Sequence, residues 1–156
     1  MKNVEYVNKR FDPDLVEFHA LAKQMAKAVG YTANLKVDKA LAQLLRLRVA
    51  QKNECAYCVI LHAKTAREIG IHESKVDNIS SWYNSELYTD KEKAVLAYCD
   101  VLNDGVDKNF QDYHDALTKY FDEQEIAEIA AIIINMNVWT RLKLAQGATP
   151  TLKEKI

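Results

Sequence analysis

Four glycines and two prolines are the only strong helix breakers in a chain of 156 residues, so long stretches run without punctuation. Ala, Leu, Glu and Lys recur at three- and four-residue intervals, and no sustained stretch alternates in the manner of a half-buried strand. This pattern predicts an all-α fold, a single-domain helical bundle over residues 1–156. The length is enough to bury a core without disulfide staples. No internal repeat, low-complexity tract or linker divides the chain.

Start and stop signals place the helices. Asp12 is a cap with Pro13 at the first helical position, which predicts a helix running to Gly30 with Leu15, Phe18, Ala22, Met25 and Val29 on one face. A second helix, over about 37–52, carries Leu41, Leu44, Leu45 and Val49. The cysteine segment ECAYC falls in the first turn of a third helix that ends near Gly70. Residues 72–88 read as a short helix followed by a loop. Thr89 with Glu92, and Asp122 with Glu125, have capping-box spacing ahead of apolar runs, and the second of these helices should end near Gly147. That last helix is apolar on more than one face around 130–136, which suits a place in the core better than the alternative, a subunit interface.

Charge and composition exclude several functions. Lys and Arg total 21 against 22 Asp and Glu, a net charge of -1, so there is no basic field for nucleic acid. The amino-terminal MKNVEYVNKRFDPD lacks the apolar core of a secretory signal, and no apolar run is long enough to cross a bilayer. A soluble, cytoplasmic protein is expected. Three cysteines, an odd number, suit a reducing compartment in which a close pair is catalytic or metal-binding.

The chemistry concentrates in Glu54-Cys55-Ala56-Tyr57-Cys58-Val59-Ile60-Leu61-His62. Spacings of three and four bring Cys55, Cys58 and His62 to one helix face. A thiol in the first turn feels the positive end of the helix dipole and unpaired N–H groups, which favour the thiolate. Cys58, nearest His62, is the candidate nucleophile, with Cys55 as the resolving thiol. His62 can take the thiol proton and return it to a leaving group. A sulfenic acid on Cys58 could then condense with Cys55 to a disulfide. Zinc is the main competing reading, since two thiolates and an imidazole supply three ligands, but no second ligand motif follows. A c-type haem needs histidine where Val59 stands, and a thioredoxin-like site needs neighbouring strands. Thiol redox is the stronger reading and zinc the alternative. His19, His72 and His114 stand apart, without partner spacing. Cys99 lies in an apolar run and should be buried and inert. Asn135 and Asn137 require polar partners near the site or across an interface. Arg46 and Arg48 could position a charged substrate, although pairing with nearby acids is the default.

The segment LLRLRVAQKNECAYCVILHAKTAREIG, together with the Trp82 region and INMNVWTRLKLA, resembles the alkyl hydroperoxidase D-like branch of the carboxymuconolactone decarboxylase family. The resemblance implies an all-helical fold that assembles as a homotrimer or homohexamer. It also implies cofactor-independent peroxide reduction or disulfide exchange, supported by a thiol reductant that could itself be a protein. It casts Cys58 as the sulfenic acid and Cys55 as its partner and proton donor. Gln43 stands where the family commonly has a glutamate in a proton relay with the histidine, and glutamine can orient His62 but cannot carry the proton. Glu54 replaces a usual small residue and is a candidate substitute carboxylate. Tyr57 takes a position where some relatives have a second histidine. A non-redox lyase of the decarboxylase branch and a non-catalytic zinc protein are the alternative functions.

Overall fold

In the computed structural model, which describes residues 2–105 and 109–154, one helix is enclosed by the others. This helix, α2 (Lys39–Lys52), starts at Asp38, whose carboxylate accepts a hydrogen bond from the Leu41 N–H at 3.1 Å. Every residue from 41 to 50 is buried. Helices α3 (Ala56–Glu68), α5 (Asp90–Asp104) and α7 (Glu123–Gln146) pack around it. Leu45 and Val49 of α2 join Val95, Cys99, Ile129, Ile132 and Ile133 in the larger core cluster. Leu44 and Leu47, on the opposite side, meet Ala66, Ile79 and Leu96 in a second cluster. Helix α1 (Phe18–Val29) lies on α7, α4 (Glu73–Asn78) runs into a 3-10 turn at Ile79–Asn84, and α6 (Phe110–Leu117) packs on α5.

Both capping boxes form. Thr89 and Glu92 exchange backbone-to-side-chain hydrogen bonds at the start of α5, and Asp122 and Glu125 do so at the start of α7. The apolar run of α7 buries Ile129, Ile132, Ile133 and Met136, while Ile134 is exposed. Among the described residues no helix is long and apolar enough to cross a membrane.

The structure corrects three expectations. The first helix is interrupted: Asp12 caps only a 3-10 turn at Pro13–Leu15, and Val16 is extended (φ -130, ψ 153) before α1 begins. The break rotates the register, so Leu15 and Phe18, expected on the buried face, are 75% and 53% exposed, whereas His19 and Ala22 face inward. Second, the described residues include two strands. Strands β1 (Lys2–Asn8) and β2 (Ala148–Glu154) pair antiparallel, with Tyr6 opposite Pro150. They are far apart in sequence and neither reads as a strand alone; the pairing satisfies their backbone groups. Third, α6 was not anticipated, because an eight-residue helix offers only two turns of periodicity.

Arg48 cannot lie in the interior of α2 unpaired. Its Nε and Nη2 donate to Asp100 at 2.7 and 2.8 Å, and Asp100 also accepts from Trp82 Nε1 at 3.1 Å. Removing one partner would strand the other charge in a dry site. Asp100→Ala should therefore cost about 3–5 kcal/mol in urea unfolding. Breaking the exposed Lys64–Glu68 pair should have no measurable effect.

Candidate active site

The junction of α2 and α3 places the cysteines. Helix α2 ends at Asn53, Glu54 adopts a left-handed conformation (φ 53), and two reverse-turn hydrogen bonds close the end: Glu54 N–H to Gln51 C=O and Cys55 N–H to Ala50 C=O. Cys55 is thus the last residue of one helix stop and the cap of the next helix. Its Sγ accepts from the Cys58 N–H at 3.3 Å, in the position usually filled by a serine or aspartate oxygen. The two cysteines are buried and disulfide-bonded, with Cα atoms 5.2 Å apart.

One turn further, His62 is 7% exposed. Its Nδ1 lies 2.6 Å from Tyr31 Oη. Gln43, fully buried on α2, donates from Nε2 to the His62 carbonyl at 2.9 Å and lies 3.4 Å from Nδ1 and 3.5 Å from Tyr31 Oη. Arg46 decides how Gln43 is oriented. A guanidinium only donates, and its Nη1 reaches Gln43 Oε1 at 3.1 Å, so the Gln43 NH2 group must face His62 and Tyr31. Arg46 also donates to the Val29 carbonyl at 3.0 Å and stacks 4.8 Å from the centre of the Tyr31 ring. A proton on Nδ1 would face the Gln43 NH2 group 3.4 Å away, so this arrangement favours the neutral tautomer with its proton on Nε2. Burial, reinforced by the nearby Arg46 charge, lowers the His62 pKa to about 4.

A cavity of about 540 Å³ opens against this cluster. Cys58 and His62 line it, as do Tyr31, Arg46, Leu61 and Met136, whereas Cys55 and Gln43 do not. Tyr57 also lines it, packed edge-on against Tyr6 of β1 with ring centres 4.6 Å apart. Gly30 ends α1 at the cavity wall, and a Cβ there would sit 2.3 Å from the Ala26 carbonyl oxygen, so only glycine lets the chain turn toward Tyr31.

The remaining candidates separate clearly. His19, expected to stand apart, is buried in the cavity wall, bonded to Asp14 at 2.6 Å and edge-on to Trp139. Neither Tyr31 nor the placement of His19 is legible in local spacing, because both reach the site from α1 and the loop after it, far in sequence from the cysteines. Arg46, expected to pair with an acid, instead binds Gln43, a carbonyl and an aromatic face. Arg48 takes the default pairing. Glu54 is exposed and does not line the cavity, which removes the basis for a substitute carboxylate. His72 caps α4, and His114 lies on α6. Cys99 is fully buried, and that burial pushes its thiol pKa far up. Asn137 bonds Asn53 and the Ile133 carbonyl. Asn135 faces the cavity. Among the described residues no group of three or more His, Cys, Asp or Glu is arranged to hold a metal ion.

The family model for the carboxymuconolactone decarboxylase family matches residues 17–100, which includes the cysteine pair, His62 and all of α2. The chain belongs to that family. A curated relative is the uncharacterised YdfG of Bacillus subtilis, 29% identical over 75% of this chain and 80% of its own. The fold is that of AhpD-like proteins. A crystal structure from Agrobacterium tumefaciens, of unknown function and provisionally described as the antioxidant defence protein AhpD, superposes with a TM-score of 0.82 at 24% identity, covering 90% of this chain and 96% of that one. An uncharacterised peroxidase-related protein from Ralstonia eutropha JMP134, described as an alkylhydroperoxidase AhpD core, gives 0.76 at 20% identity over 89% and 72%.

Two measurements check this geometry. His62 remains neutral in the folded state down to about pH 4, whereas an unfolded histidine takes a proton near 6.5. Stability should therefore fall as the pH drops from 6.5 toward 4, by about 3 kcal/mol from this residue. NMR should show the His62 ring titrating below pH 5, and Gln43→Glu should raise that midpoint. Titration of wild-type His62 near 6.5 would refute the assignment. Glu54→Gly should fold at least as stably as wild type, because glycine adopts the left-handed position without strain; a clear loss in urea unfolding would contradict this.

Proposed function

We propose that this chain is a thiol oxidoreductase that reduces organic hydroperoxides by cycling Cys55 and Cys58 between dithiol and disulfide. The observation that carries the reading is the asymmetry of the pair: Cys58 opens to the cavity beside His62, while Cys55 is screened behind it. The Cys58 thiolate attacks the distal peroxide oxygen. The S–O bond forms, the O–O bond breaks, and sulfur loses two electrons while the peroxide gains them. His62 Nε2–H gives its proton to the departing alkoxide, and Nδ1 takes one from Tyr31. Tyr31 is half exposed, so water restores its proton, and the Arg46 guanidinium over its ring stabilises the transient phenolate. Cys55 then attacks the Cys58 sulfenic acid, releasing water and closing the disulfide. A dithiol reductant, small or carried by a protein, reopens it by disulfide exchange.

In this scheme Gln43 is a positioning residue, and Tyr31 takes the proton-handling place that a carboxylate at position 43 would hold. The chain works in a reducing cytoplasm as a homotrimer or homohexamer. Phe11, Leu15, Val16, Phe18 and Leu21 are all exposed on the amino-terminal segment and α1, an apolar surface that a neighbouring copy would cover.

Peroxide consumption with dithiothreitol as reductant tests the cycle. Cys58→Ser should abolish turnover, and Cys55→Ser should leave a sulfenic acid on Cys58 that dimedone traps. Tyr31→Phe should lower kcat about tenfold or more, and adding Gln43→Glu should restore much of it. Undiminished turnover in Cys58→Ser would end the thiol reading; undiminished turnover in Tyr31→Phe would end the relay.

A further inference from the structure

One wall of the cavity is built for an anion. Lys23, Lys27 and Lys143 all line it, and among the described residues none of the three forms an ion pair. The acidic group that acts on Lys143 is Asp14, and that carboxylate is already bound by His19. Lys143 lies instead over two aromatic faces, 4.6 Å from the centre of the Tyr57 ring and 5.8 Å from that of Trp139. Burial and the neighbouring Lys23 lower its pKa, the expected response of a cation held without a counter-ion.

Two further groups in the same wall lack partners among the described residues. Trp139 Nε1 and Asn135 Oδ1 are buried there without a hydrogen bond, and Asn135 is only 5% exposed. They stand four residues apart on α7 and so share a face. Buried polar atoms are normally satisfied. Here one donor and one acceptor share the α7 face that carries Lys143 at the next four-residue step, while Arg46 and His62 line the cavity with Cys58 and Leu61 and Met136 supply an apolar part of the lining.

We propose that the cavity binds a carboxylate-bearing organic molecule, and that the hydroperoxide substrate is a hydroperoxy acid. Its carboxylate pairs with Lys143, with Lys23 and Lys27 adding to the field, and accepts from Trp139 Nε1. Its apolar body lies along Leu61 and Met136, which directs the hydroperoxyl group to Cys58, and the O–H donates to Asn135 Oδ1. The substrate half of this assignment rests on the peroxidase reading; the anion site does not.

Binding and turnover separate the two. The probes are 4-isopropylbenzoate and its neutral amide, titrated into the disulfide form of the full chain at physiological ionic strength and followed by tryptophan fluorescence. The acid should bind at least tenfold more tightly than the amide. Lys143→Gln should collapse that preference toward unity, and Lys143→Arg should retain it. Equal binding of acid and amide, no binding of the acid, or an unchanged preference in Lys143→Gln would overturn the anion site. Cumene hydroperoxide and its 4-carboxylate are then compared as substrates. A lower KM for the carboxylate, lost in Lys143→Gln, supports the proposal. If neither peroxide is consumed although the benzoate binds selectively, the peroxidase reading fails and the anion site stands. If both are consumed with equal KM and the benzoate shows no preference, the anion site fails and the peroxidase reading stands.

Discussion

The enclosure of α2 is the constraint on which the rest of the structure depends. A helix surrounded on all sides must satisfy every polar group it carries, and α2 carries Gln43, Arg46 and Arg48 into the interior. Each is resolved differently. Arg48 finds a carboxylate on α5, and in doing so ties α2 to the Trp82 turn. Arg46 pairs with no acid among the described residues and instead satisfies Gln43, the Val29 carbonyl and the Tyr31 ring. That choice propagates to the chemistry, because the donor-only guanidinium determines which end of the Gln43 amide meets His62.

A second consequence follows from where α2 stops. Its end is closed by a residue in the left-handed conformation, and the next residue, Cys55, immediately caps α3. Only Asn53, Glu54 and Cys55 stand between the two helices. The pair is held at the first turn of α3, where the Cys58 N–H donates to the Cys55 sulfur, and of the two cysteines Cys58 lines the cavity. Rigid placement of two thiols within bonding distance favours rapid disulfide closure over further oxidation of a sulfenic acid. A mobile CxxC segment would not offer the same protection.

The cavity itself is an assembly of distant parts. Its floor, with Cys58 and His62, belongs to α3. One wall comes from α1 and the turn to Tyr31, and the other from Asn135, Trp139 and Lys143 of α7. Tyr57 joins them through its contact with Tyr6 on β1, so even the small two-stranded ribbon bears on the site. The break after Pro13–Leu15 has a similar effect: it turns His19 inward and exposes Leu15 and Phe18.

The helical class, both capping boxes, the Gly70 and Gly147 stops and the proximity of Cys55, Cys58 and His62 were legible in the sequence. All of these are local: capping depends on residues three apart, periodicity on residues three and four apart, and a CxxC-xxx-H face on a single helix. The interrupted first helix, the β1–β2 pairing, the approach of Tyr31 and His19 and the unpaired state of Lys143, Asn135 and Trp139 were decided only by tertiary structure. Each depends on partners dozens of residues away, and burial, hydrogen-bond satisfaction and charge pairing are properties of that three-dimensional neighbourhood. The sequence by itself determined which side chains could do chemistry together on one helix; the packing of four other segments around that helix decided what surrounds them.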